Sequence, residues 1–140
     1  GVMLEHIEFS HFGLAVDNFS KTKEFLFKFN YTEFKSEFDK AQNVQASLMV
    51  HEKFPSIEIL SKLNKDDVTP IDDIIKNNNS AIYHMCYKCL NKNLFIKKLE
   101  ENNISYRQIT KTSMSPLFNF PVTFYMTESI GLIEIIEEIK

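Results

Sequence analysis

Glycine and proline are scarce in this chain, with three and four residues among 140. The usual breakers therefore say little about where turns fall, and hydrophobic periodicity must carry the reading. Tryptophan is absent, and cysteine appears only as Cys86 and Cys89, too few for a disulfide framework. Their CxxC spacing lies in a stretch that alternates like a strand, where positions three apart face opposite sides. Two reduced, partly buried thiols are the expectation. Arginine is nearly missing as well: of sixteen basic residues only Arg107 is one. That matters because bidentate recognition of carboxylates and phosphates relies on the guanidinium fork. A net charge of −3 and a pI of about 5.8 supply no basic field for nucleic acid or anionic membranes. No apolar run approaches the roughly 20 residues that span a bilayer, and Gly1 to Glu5 lack the pattern of a signal peptide. The expectation is a cytoplasmic protein with a small-molecule substrate and neither nucleic acid nor membrane as partner.

The length suits one compact domain, and 44% apolar with 25% charged residues is an ordinary globular composition. His6 to Val16 alternates like a strand, and Asp17-Asn18-Phe19-Ser20 offers helix caps. Phe25, Leu26 and Phe29 then share a helical face within 21–30. Strand-like stretches follow at 32–38, 44–51 and 56–60, before a polar connector with a short helical candidate at 71–76. Asn77-Asn78-Asn79-Ser80 reads as a turn. After it the order restarts, with a strand at 81–90 and a plausible cap at Asn91. Leu94, Phe95 and Leu99 form a helix face, and strands fit near 104–109, 122–127 and 132–137. A shift of 73 positions lays His11 on His84, Val16 on Cys89, Asn18 on Asn91 and Leu26 on Leu99. The spacing predicts an α+β domain of two tandem βαβββ modules, about 5–62 and 81–138.

Four residues able to bind metal occupy matching places in these modules. His11 and His84 lie on the first strands, and Glu58 and Glu134 on the last, 47 and 50 residues after their histidines. A carboxylate inside Ile57-Glu58-Ile59, and again inside Ile133-Glu134-Ile135, is unusual for strands this apolar. Burying such a group is costly without a cation or hydrogen-bond partner. Taken singly, a strand glutamate more often sits on a solvated face and a strand histidine is more often structural. It is the coincidence of four in equivalent places that points to chemistry. Two imidazoles and two carboxylates make a mixed shell suited to Ni, Co, Mn, Fe or Zn. His6 competes with His11 for the first place, and His51, beside Glu52-Lys53, is expected to be exposed.

His11-Phe12-Gly13-Leu14-Ala15-Val16, Ser56 to Leu60, Tyr83-His84-Met85-Cys86 and Gly131 to Glu137 together resemble the metal-ligand strands of the vicinal oxygen chelate superfamily. The resemblance covers almost the whole chain and implies His11, rather than His6, as first ligand. It further implies a cup-shaped mixed sheet, a likeness to small glyoxalase I-like proteins and methylmalonyl-CoA epimerases, and often a homodimer. One divalent ion would be held by His11, Glu58, His84 and Glu134. The reaction would be proton transfer through a metal-stabilised enediolate, with Glu134 as base and Glu58 as ligand or second base.

Between those relatives, the epimerases look to have Gln at the position of Glu58 and a carboxylate at the position of Ala41. Both departures favour a glyoxalase-like lyase or isomerase, with the epimerase as alternative. Against glyoxalase I stands the shortage of arginine for the carboxylates of a glutathione conjugate: only Arg107 is available, with Lys111 able to help. A drug-binding protein of the bleomycin-resistance type would not need all four ligands, and an extradiol dioxygenase leaves Glu58 without a role. Ser113 to Phe118 reads as a loop that either closes over the cup or packs as a connector.

Overall fold

The computed structural model describes residues 6–138. Among them nine strands and three helices follow one another as β1 (Ile7–Val16), α1 (Phe19–Lys28), β2 (Thr32–Asp39), β3 (Val44–Val50), β4 (Ser56–Ser61), α2 (Asp72–Asn78), β5 (Ser80–Cys89), α3 (Lys92–Glu101), β6 (Tyr106–Gln108), β7 (Ser113–Met114), β8 (Pro121–Thr127) and β9 (Gly131–Glu137). The class is α+β, and a βαβββ order occurs twice, the second time with the two-residue β7 as an extra strand. Two compact units divide the chain: residues 11–83, and the described parts of 1–10 and 84–140.

In the unit of residues 11–83 the strands run β2-β3-β4-β1, with β2, β3 and β4 antiparallel and β1 parallel to β4. The other unit repeats this as β6-β8-β9-β5, with β5 parallel to β9 and the short β7 added on β8. Alternation decides what each face holds. Ile57 and Ile59 pack with Val16, Leu26, Tyr31 and Met49 beneath α1. Ile133 and Ile135 pack with Cys89, Tyr125, Phe95 and Ile96 beneath α3. Glu58 and Glu134, one residue out of phase, therefore face the opposite side of their strands.

The helices start where the sequence predicts. Asn18 accepts a hydrogen bond from the Lys21 amide at 3.0 Å, and Asn91 accepts one from the Asn93 amide at 2.8 Å. The apolar face expected of α1 is different, however. Leu26 is buried, whereas Phe25 and Phe29 are exposed and lie against each other at 4.8 Å. The inward stripe runs through Phe19, Thr22, Lys23 and Leu26, the spacing of a single helical face. The strand expected over 104–109 shrinks to Tyr106–Gln108, flanked by single hydrogen bonds from Glu128 N–H to Ser105 O and from Ile109 N–H to Phe124 O.

With glycine so rare, asparagine supplies most of the positive-φ positions among the described residues: Asn30, Asn43, Asn79, Asn103 and Asn119, joined by Gly131. No helix among the described residues is long and apolar enough to cross a membrane.

Candidate metal centre

His11 and Glu58 meet through the parallel register of β1 and β4. Glu58 is the ladder partner of Gly13, two residues beyond His11 on the same face. The histidine therefore reaches diagonally across to the carboxylate, with Nε2 3.5 Å from Oε1. In the other unit Glu134 is the partner of Cys86, again two residues beyond the histidine. His84 Nε2 lies 3.4 Å from Glu134 Oε1. One register thus builds the same pair twice. All four side chains are withdrawn from water: His11 is 0%, Glu58 6%, His84 2% and Glu134 4% exposed.

The separations say what such a pair suits. A charge-assisted hydrogen bond between imidazole and carboxylate closes to about 2.7–2.9 Å. Two donor atoms each about 2.1 Å from one cation, at a tetrahedral angle, lie about 3.4 Å apart. The observed spacing matches the second geometry. Imidazole nitrogen with carboxylate oxygen is also a donor set that Zn, Ni, Co, Mn and Fe accept. The residues present therefore fit a divalent ion.

The surroundings of the two pairs differ. Near Glu134 the ring of Phe124 meets His84 edge-on, with centroids 5.2 Å apart and planes at 87°. Cys86, Val122 and Ile136 form a buried apolar cluster on the same strand face, with Phe118 and Phe120 packed against it. The 115–120 segment is a closed turn: the Ser115 amide donates to Phe120 O, Asn119 N–H to Ser115 O, and Phe118 N–H to Ser115 Oγ. Of the two readings open for Ser113 to Phe118, the packed connector describes it. In residues 11–83 the corresponding face is lined by small residues, Gly13, Ala15 and Ala46, beside Leu48 and Leu60.

Other candidates fall elsewhere. His6 is exposed. His51 is half-buried rather than exposed and has a structural task. Its Nδ1 accepts from the amides of Lys53 and Phe54 at 2.9 and 3.1 Å, so Nε2 carries the proton shared with Phe29 O at 3.0 Å. A groove of about 870 Å³ beside it, at the end of α1, holds none of the four metal-binding candidates. Cys86 and Cys89 are buried thiols, not joined in a disulfide, in separate clusters on opposite strand faces. Ala41 lies in the β2–β3 hairpin turn, where its amide and that of Gln42 donate to Asp39 Oδ1 at 3.0 and 3.3 Å. Lys111 is exposed. Sequence reasoning gave no role to Glu137, whose Oε2 accepts from the Lys92 amide and so caps α3 from β9.

The chain matches no curated protein. Among solved structures, a hypothetical protein from Bacillus halodurans C-125 is 18% identical, with a TM-score of 0.76 over 96% of each chain. Methylmalonyl-CoA epimerase from Mycobacterium tuberculosis is 13% identical, with a TM-score of 0.73 over 91% of this chain and 85% of that one. A variant of the Streptomyces coelicolor methylmalonyl-CoA epimerase in complex with 2-nitronate-propionyl-CoA is 13% identical, with a TM-score of 0.71 over 94% and 96%. At these identities the likeness is one of fold, the vicinal oxygen chelate fold. Residues 10–115 match the family described as Glyoxalase/Bleomycin resistance protein/Dioxygenase superfamily, and to that superfamily the chain belongs.

Proposed function

We propose that this protein is a metal-dependent enzyme that moves a proton at a carbon next to a carbonyl, with His11, Glu58, His84 and Glu134 converging on one divalent ion. The observation that carries this reading is the repeated register: two buried His–Glu pairs, 3.5 and 3.4 Å apart, whose glutamates lie on strands rich in Ile and Leu. When bound, the ion supplies the positive charge that stabilises an oxyanion developing on the substrate carbonyl. His11 and His84 hold their nitrogens towards it. Glu134 Oε1 lies against His84, and we assign Oε2 to the proton leaving carbon. Glu58, which enters the cycle protonated on the oxygen turned away from His11, returns that proton to the opposite side of the carbon, so the two carboxyls finish with their protonation states exchanged. The apolar cluster of Cys86, Val122 and Ile136 keeps water from the neighbourhood of Glu134, so the base is not solvated away from its task.

Of the two reactions expected from the sequence, the structural neighbours support the epimerase type over the glyoxalase type that the residues alone favour. The substrate is then an acyl-CoA thioester, and the protein an isomerase. Glu58 and the missing carboxylate at Ala41 favour the second reading, a glyoxalase-type lyase acting on a hemithioacetal. Metal analysis of the purified protein beside Glu134→Ala tests the centre. We expect one divalent ion per chain in the parent and strong loss in the variant; a parent that takes up no offered divalent ion would defeat the proposal. Incorporation of solvent deuterium at the α-carbon, followed with methylmalonyl-CoA and with the methylglyoxal hemithioacetal in parallel, separates the two reactions.

A further inference from the structure

The lone arginine has a definite place in the ladder that carries Glu134. Opposed residues of an antiparallel pair point to the same face, and so do residues two apart on one strand. Phe124 on β8 opposes Glu134 on β9, and Met126, two residues on, opposes Arg107 on β6. Arg107 therefore rises from the same face as Glu134. The neighbours of Arg107 go the other way: Tyr106 joins the cluster of Tyr125, Ile133 and Ile135 on the helix side. Two strand spacings across and two residues along put the Arg107 and Glu134 backbones roughly 12 Å apart.

Arg107 is exposed, and among the described residues no ion pair engages its guanidinium. The floor between it and Glu134 is Phe124 and the partly open Met126, 39% exposed. Lys88 is the other cation on this face, two residues past Cys86. The way from Glu134 to Lys88, however, runs over the cluster of Cys86, Val122 and Ile136, already covered by Phe118 and Phe120. Of these two directions along the face, the Arg107 side is the less covered.

We propose that Arg107 anchors an anionic group, a carboxylate or phosphate, of a substrate whose reacting carbon lies at Glu134. The proposal rests on the proton-transfer reading above and adds to it the charge of the substrate and the residue that binds it. A planar fork on a rigid strand receives either oxyanion bidentately, which a lysine does not reproduce.

Isothermal titration of the metal-loaded protein with propionyl-CoA, methylmalonyl-CoA and S-methylglutathione tests this and separates the sources of the anion. Propionyl-CoA offers phosphates without an acyl carboxylate, methylmalonyl-CoA offers both, and the glutathione conjugate offers carboxylates alone. We expect at least one of them to bind the parent, Arg107→Ala to weaken that binding about tenfold or more, and Arg107→Lys to fall between. Added salt should weaken the parent more than Arg107→Ala, and Lys88→Ala should bind as the parent does. The proposal fails if none of the three binds the parent, if Arg107→Ala binds as the parent, or if Lys88→Ala alone shows the loss. Weakened binding by Arg107→Ala without any deuterium incorporation by the parent would leave the anchor standing and remove the proton-transfer reading instead.

Discussion

Cys89 faces Glu137 across the β5–β9 ladder and is almost wholly buried. Burial, and after it the Glu137 carboxylate, pushes its thiol up to about 11. The thiolate is the reactive form, so folded protein should consume thiol reagents very slowly at pH 8 and quickly once denatured. Equal labelling rates in both states would contradict the assignment. The same shift has a sign in stability. Because the unfolded chain gives up this proton first, near the ordinary thiol value of about 8.5, the contribution is complete below that pH. It is lost as pH rises towards the folded value. Thermal midpoints measured upward from pH 8 should accordingly fall less steeply for Cys89→Ser than for the parent, whatever the variant costs at neutral pH.

At the scale of elements, α3 begins with two acceptors where α1 has one. Asn18 caps α1 and Asn91 caps α3, but only α3 has a carboxylate brought to its first turn from a distant strand, Glu137 on Lys92 N at 3.2 Å. A negative group at a helix N-terminus contributes roughly 0.3–1 kcal/mol. Glu137→Gln should therefore lower stability by about that much in chemical denaturation, and an unchanged midpoint would show the cap to be idle. This contact was invisible in the sequence because residues 45 positions apart meet only after the β5–β9 register is set. What was legible is local or periodic. The asparagine caps follow from a side-chain oxygen beside the unpaired first-turn amides, and the phases of Ile57-Glu58-Ile59 and Ile133-Glu134-Ile135 follow from side-chain alternation. The outward turn of Phe25 and Phe29 was not legible, since a helix with aromatics on two adjacent stripes leaves the choice to its partner strand. Nor was the burial of His51, which depends on amides of a turn that periodicity does not describe.

For the whole molecule, binding of the proposed ion would be coupled to folding. A ligand bound only by the folded chain adds about 2.7 kcal/mol when present at a hundred times its dissociation constant. Chelation should then lower the melting temperature of the parent and leave Glu134→Ala, already without the ion, unmoved. A parent melting identically with and without chelator would tell against a shared centre. The repeat also shapes what the chain must give up on folding. Asparagine rather than glycine holds five of the six positive-φ positions among the described residues, and each carries a side chain that narrows the choices of the denatured backbone. Evolutionary replacement of these asparagines by glycine would relax the native turns yet let the coil roam more widely, so the two effects oppose each other and the present residues can persist without selection for any contact they make.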